Sequence, residues 1–282
     1  MQVIERVTEL TATLEARRAS GVAVGLVPTM GALHDGHASL IERAAAECEL
    51  VCVSIFVNPL QFGSLDEVGR YPRDLASDLV VAEKAGAGVI FAPPVEEMYP
   101  QMPAVGVHVA GGLGATLEGA SRPGHLDGVA TVVAKLLAMA GACRAYFGEK
   151  DYQQLLVVRR VVVDLSFPVT VVACPTVRAI DGVAESSRNR LLSRSEREAA
   201  PVLCRALRAG AAAILAGESE RSEVVALMTA IIEAEPLVEL DYAEVVDAAS
   251  LRVPERLEGA LRLLVAARVG ATRLIDNVGL AG

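Results

Sequence analysis

The sequence predicts an α/β protein: a doubly wound parallel sheet followed by a smaller α+β domain. Two observations carry the prediction. Short apolar runs rich in β-branched residues, at 22–27, 51–57, 88–92, 144–147 and 169–173, alternate with amphipathic helical stretches at about 39–47, 75–85, 128–140 and 152–165. Continuous apolar runs suit strands buried on both faces, and strands separated by helices build parallel βαβ units. After Pro175 the pattern changes to a polar loop, two helical runs at about 194–216 and 222–235, and alternating strands near 238–246, 261–267 and 272–276. A chain of 282 residues is also longer than one core usually serves, so two domains are expected, 1–176 and 177–282.

Composition narrows the function classes. The net charge of −9 argues against diffuse binding to nucleic acid or to an anionic membrane, so a polyanionic ligand needs a local cluster of cations. Lys150 is the lysine set in a glycine-containing loop. The five cysteines, Cys48, Cys52, Cys143, Cys174 and Cys204, sit in apolar runs without CxxC spacing and read as buried thiols of a reducing compartment. The longest uncharged stretch, 98–117, carries Pro100, Pro103, Gly106, Gly111, Gly112 and Gly114, which disfavours a membrane-spanning helix. The first residues mix Glu5, Arg6 and Glu9 with apolar residues at helical spacing, unlike a secretory signal, and a cytoplasmic location is expected.

In a doubly wound sheet, ligands bind beyond the carboxyl ends of the strands, so the segments that follow the strands are where chemistry is sought. The first of the apolar runs leads into Pro28-Thr29-Met30-Gly31-Ala32-Leu33-His34-Asp35-Gly36-His37, with a helix expected from Ala38. Unpaired backbone N–H groups and the helix dipole favour an anion there, two imidazoles can donate to phosphate oxygens, and Gly36 admits close approach. The bland reading is a solvent-facing helix start with two incidental histidines; zinc would need further ligands that the sequence does not supply at suitable spacing.

The second run leads into Asn58-Pro59-Leu60-Gln61-Phe62-Gly63, where the Gln61 amide can bind a hydroxyl or carboxylate without adding charge. Ahead of the fourth run, Gly111–Gly114 and Ser121–His125 form a glycine-rich segment, either a pocket wall or a flexible connection. The fourth run ends in Phe147-Gly148-Glu149-Lys150-Asp151-Tyr152-Gln153-Gln154. Here Lys150 can reach terminal phosphates while Asp151 meets ribose hydroxyls or a metal-bound water; a capped helix with a solvated Lys–Asp pair is the competing reading. Between the domains, Ser186-Ser187-Arg188-Asn189 offers dense donors and a permanent charge suited to a phosphate clamp.

Two other nucleotide motifs are set aside, the P-loop as excluded and the dinucleotide fingerprint as a poor fit. A Walker A loop needs Gly-Lys, and the chain has no such dipeptide. In Gly112-Leu113-Gly114-Ala115-Thr116-Leu117, the position a dinucleotide fingerprint reserves for Gly or Ala holds Leu117.

These motifs, together with Tyr71-Pro72-Arg73, Arg122-Pro123-Gly124-His125 and Arg273-Leu274-Ile275-Asp276-Asn277, resemble the pantoate–β-alanine ligase family over nearly the whole chain. The resemblance implies a Rossmann-like nucleotidyltransferase domain with an HxGH motif and a smaller domain that closes over the active site. It implies that pantoate attacks the α-phosphate of ATP to give pantoyl adenylate and pyrophosphate, after which β-alanine displaces AMP. It assigns ATP to Met30, Gly31, His34, His37, Gly148, Glu149, Lys150, Asp151, Val177, Glu185, Ser186, Ser187 and Arg188, with His37, His34, Lys150 and Arg188 catalytic. Pantoate falls to Gln61, Gln154 and Met30, and β-alanine to Gln61, Asn58, Tyr71 and Arg122. Mg²⁺ carried mainly by the ATP phosphates and a homodimer are also implied.

One departure stands out. Where the family usually has Leu or Met before Ser-Ser-Arg, this chain has Glu185. At roughly 6 Å and an effective dielectric of about 20, a carboxylate opposes a like charge by about 3 kcal/mol at most, so Glu185 is expected to turn outward or pair with an arginine and weaken ATP binding modestly. The alternatives are a related nucleotidylyltransferase with the same histidine motif, which wants more cations for a second phosphate, and a catalytically weakened nucleotide-binding homologue.

Overall fold

A computed structural model of the chain describes residues 1–101 and 105–280. Six strands, β1 (Gln2–Ile4), β2 (Val24–Thr29), β3 (Leu50–Ile55), β4 (Val89–Phe91), β5 (Cys143–Gly148) and β6 (Val169–Cys174), form one sheet in the order β1-β4-β3-β2-β5-β6. Every neighbouring pair is parallel. The order reverses between β2 and β5, and the crevice beyond their carboxyl ends is the topological switch point. The histidine loop follows β2, so the chain delivers that motif to this edge, and β5 ends at Gly148, immediately before the turn Glu149–Asp151. The core on one face joins Val27, Val53 and Ile90 of the sheet to Ile41 and Ala44 of helix Asp35–Glu47 and to Ala82 of helix Leu75–Lys84.

Three strands, β7 (Val238–Asp247), β8 (Leu261–Val269) and β9 (Thr272–Leu280), form an antiparallel sheet in sequence order. Helices Val202–Leu215 and Arg221–Glu233 cover it, and Leu207, Val224, Met228, Leu263 and Val265 are fully buried between them. By its contacts the chain divides into two units. The first holds Met1–Glu149 and Gln154–Pro175, and the second holds Lys150–Gln153 with the residues from Thr176 onward.

The structure corrects three expectations. The chain opens with β1 rather than with helix, the first helix spanning Val7–Ala19. The helix after β2 begins at Asp35, with His34 as its N-cap, so His37 lies inside the first turn instead of before it. The run expected at 194–216 is two helices, Arg194–Ala199 and Val202–Leu215, because Pro201 has no N–H to continue the first. Of the uncharged stretch 98–117, Pro103 lies outside the described residues, and among the described residues no helix is long and apolar enough to cross a membrane.

Candidate functional site

The loop between β2 and its helix is held by groups the motif itself does not contain. Gly31 has φ +79° and Ala32 has φ +51°, a left-handed pair of which only the glycine is comfortable. The carboxylate of Asp78, 3% exposed on helix Leu75–Lys84, accepts from Ala32 N–H at 3.0 Å and from Leu33 N–H at 2.7 Å. Thr29 completes the brace: its hydroxyl donates to the Ser54 carbonyl at 2.7 Å and accepts from Gly31 N–H at 3.2 Å.

At the helix start, His34 Nδ1 accepts from Gly36 N–H at 3.1 Å. A neutral imidazole accepting at Nδ1 carries its proton on Nε2, so the cap bond fixes the tautomer and leaves Nε2–H as the ring's donor. The ring centroids of His34 and His37 are 4.1 Å apart with planes inclined at 45°. Two imidazoles at the positive end of a thirteen-residue helix form a site suited to phosphate oxygens.

Gln61 sits on the short 3₁₀ turn Pro59–Gln61 after β3. Its side-chain oxygen accepts from Asn58 Nδ2 at 3.1 Å, which turns its NH₂ towards Met30, 2.9 Å from Sδ. The amide therefore presents donors on the side of the histidine loop. Asn58 is 1% exposed and fully engaged: Nδ2 also donates to Gly128 O at 3.0 Å, and Oδ1 accepts from Leu60 N–H at 3.3 Å and Tyr99 O–H at 3.0 Å. Burial pushes the Tyr99 phenol up to about 12, so it stays a donor at neutral pH. Behind the turn, His125 Nδ1–H donates to Gln61 O at 2.8 Å while its Nε2 accepts from Arg122 at 3.1 Å, and Arg122 reaches the same carbonyl at 3.3 Å. Asn58 and Arg122 thus support Gln61, one through its side chain and one through its backbone. Tyr71 packs edge-on against Phe62, with centroids 5.8 Å apart.

In the second unit a cavity is lined by Lys150, Ser186, Asn189 and Asp276 among others. Lys150 Nζ lies 4.0 Å from Asp151 Oδ1, too far for a hydrogen bond. Ser186 caps the 3₁₀ turn Ser187–Leu191 by accepting from Arg188 N–H at 3.3 Å. Asn189 Nδ2 donates to Ala184 O at 3.0 Å, and its Oδ1 is a buried acceptor with no hydrogen-bond partner. The Val177 carbonyl accepts from Glu185 N–H at 2.9 Å, closing a small hairpin from Arg178 to Ala184. Arg197, which binds Asp181 through both terminal nitrogens, also feels the Glu185 carboxylate; its pKa is raised chiefly by the Asp181 hydrogen bond and least by Glu185. Gln154 is half-buried in the helix Tyr152–Asp164, and Gly148 and Glu149 lie at the end of β5 and the turn beyond it. Among the described residues no group of three or more His, Cys, Asp or Glu is placed to hold a metal ion.

Sequence reasoning missed Asp78, Ser54 and Gly128, and quoted Thr29 and His125 within motifs without giving either a role. A β-carbon on Gly128 would fall 2.2 Å from Leu60 O, so the helix over the Gln61 turn can approach this closely only with glycine there. The buried Asp78, at a position where the helix pattern asks for an apolar residue, was the one readable signal.

Comparisons with known proteins agree across the chain. A family model described as pantoate-beta-alanine ligase matches residues 2–279. The pantothenate synthetases of Roseiflexus sp. and Cereibacter sphaeroides are each 50% identical to this chain, covering 98% of both partners in each comparison. The crystal structure of pantothenate synthetase from Thermus thermophilus superposes with a TM-score of 0.94 at 48% identity, over all of both chains. That of the Francisella tularensis pantoate-beta-alanine ligase, complexed with beta-gamma ATP and beta-alanine, has a TM-score of 0.80 at 31% identity, over 99% of this chain and 97% of that one.

Proposed function

This chain belongs to the pantoate–β-alanine ligase family and is an ATP-dependent ligase joining pantoate to β-alanine, and we propose that it does so through an enzyme-held pantoyl adenylate, using the residues described above. A pantoate carboxylate oxygen attacks the α-phosphorus, the bond from that phosphorus to the bridging oxygen breaks, and pyrophosphate leaves with the electron pair. The neutral amine of β-alanine then attacks the acyl carbon, AMP departs, and the nitrogen gives up its proton to solvent.

The observation that carries the reading is the histidine pair at the helix start after β2, at the switch point of the sheet. His34 Nε2–H and His37 donate to the phosphates as charge moves onto the departing pyrophosphate, aided by Lys150 and Arg188. Met30, Gly31, Gly148, Glu149, Asp151, Val177, Glu185, Ser186 and Ser187 complete the ATP site. Gln61, Gln154 and Met30 hold pantoate; the Gln61 amide, whose donors face Met30, suits a hydroxy acid better than a second phosphate. Gln61 and Tyr71 contact β-alanine, with Asn58 and Arg122 setting Gln61 in place. Such positioning makes each bimolecular step effectively unimolecular.

Mg²⁺ is assigned to the ATP phosphates, whose charge it neutralises, as the family resemblance implies. A cytoplasmic location accords with five free cysteines, and a homodimer accords with the family resemblance. Pyrophosphate release from Mg-ATP with pantoate alone, followed by AMP release on adding β-alanine, tests the reading. Pyrophosphate that requires β-alanine would refute a free-standing adenylation step.

A further inference from the structure

Two adjacent residues of β9 hold both segments of the second unit that the proposed function places on ATP. Asn277, 3% exposed, donates from Nδ2 to the carbonyl of Lys150 at 2.8 Å. Its Oδ1 accepts from Arg262 Nε at 2.7 Å, and the Arg262 guanidinium carbon lies 3.8 Å from the centre of the Tyr152 ring. Tyr152 is pinned at its far end, its hydroxyl donating to Ala248 O at 2.8 Å. The turn carrying Lys150 is thereby fastened at two points to the antiparallel sheet, although its chain neighbours on both sides, Glu149 and Gln154, belong to the first unit.

Asp276, 4% exposed, binds Arg178 through both oxygens, at 2.6 and 2.8 Å. Burial alone would pull the Arg178 pKa down, but the hydrogen bonds and charge of Asp276 outweigh it and raise it, so the pair stays ionised. Arg178 also donates to Gly182 O at 3.0 Å and Asn277 O at 3.1 Å, fixing the hairpin that leads into Ser186-Ser187-Arg188. Asn277 N–H donates to Asp276 Oδ1 at 2.7 Å, joining the two arms.

We propose that Asp276 and Asn277 are positioning residues for adenylation: Asn277 sets Lys150, and Asp276, through Arg178, sets the Ser186–Arg188 clamp, in one register. The inference rests on the reading that Lys150 and the clamp act on ATP. A backbone carbonyl held on one side and an aromatic ring held on the other leave the lysine only its own rotamers to search.

Asn277→Asp isolates the key bond. The new carboxylate still accepts from Arg262 but offers no donor to Lys150 O. The variant is expected to unfold within a few degrees of the parent while its rate of pantoate-dependent pyrophosphate release falls about tenfold or more, with the pantoate KM within twofold. In a Lys150→Ala background the same substitution is expected to cost less than threefold further. Should Asn277→Asp fail to fold, Arg178→Lys tests the other arm: it keeps the charge but loses the two-pronged bond, and the ATP KM is expected to rise about fivefold or more at unchanged pantoate KM. Normal release by folded Asn277→Asp with an impaired Lys150→Ala would overturn the inference and leave the proposed function standing. Losses that multiply in the double variant would also overturn it, since they mean a general structural effect. Near-normal release by Lys150→Ala would remove the lysine from the mechanism and the inference with it.

Discussion

Asp78→Ala tests how far the ATP loop depends on a residue outside the motif. The substitution removes two charge-assisted hydrogen bonds, to Ala32 N–H and Leu33 N–H, both buried. Each such bond contributes about 1.5–3 kcal/mol, and a buried N–H left unmet costs about 1–3 kcal/mol. The left-handed backbone of Ala32 adds roughly 1–2 kcal/mol that the loop bears in any state that keeps its shape. The loop conformation therefore loses about 3–6 kcal/mol of support relative to an open one. If only part of this is recovered by rearrangement, about 3 kcal/mol remains, on the order of a hundredfold in the competent population and so in apparent ATP affinity. Equilibrium ATP binding and pyrophosphate release on the purified variant measure it, with thermal unfolding as the control for folding. A folded Asp78→Ala enzyme with ATP affinity within twofold of the parent would refute the reasoning. Asp78→Asn is expected to fall between, because an amide can serve one N–H and opposes the other with its own donors.

Glu185→Met is expected to lower the ATP KM a few-fold and no more, since Arg197 already meets part of the Glu185 charge; an unchanged KM and kcat would show that this carboxylate does not reach the phosphates. An aromatic disulfide reagent at pH 8 is expected to label at most one cysteine rapidly in the native protein and five in denaturant, because four are buried and burial pushes the Cys52 and Cys143 thiols up from 9.0 to about 12. Two or more fast thiols would contradict that packing. The same shifts set an alkaline limit. Between pH 9 and 12 these thiols hold their protons in the folded chain and lose them in the unfolded one, so stability is intact below about pH 9 and falls as pH rises towards 12. Denaturant midpoints that stay level across that window would refute the assignment.

The parallel sheet was legible because buried strands leave continuous apolar runs; β1 was not, since Gln2-Val3-Ile4 is too short to show any period and is a strand only because β4 lies beside it. The histidine loop announced itself through Gly31, Gly36 and two imidazoles at a strand-to-helix turn. Where its helix begins did not, because the N-cap was His34, a residue with a weak capping signature that works here through Nδ1. Gln61 was legible as a lone amide, and the structure gives it direction: Asn58 turns it, while Arg122 and His125 hold its carbonyl from 61 and 64 residues away in sequence. Such supports are invisible locally. The same holds for Asn277: the run 273–277 is legible as part of the family resemblance, but the bond of Asn277 to the Lys150 carbonyl spans 127 residues and leaves no local trace.

Transfer of ¹⁸O from carboxyl-labelled pantoate tests the central claim most directly. If the carboxylate attacks the α-phosphorus, one labelled oxygen must remain on phosphorus when β-alanine takes the acyl group, so mass spectrometry of the products is expected to find AMP carrying one ¹⁸O per turnover. AMP without label, with both labels accounted for elsewhere, would contradict a pantoyl adenylate and with it the roles given to the histidine pair and Lys150.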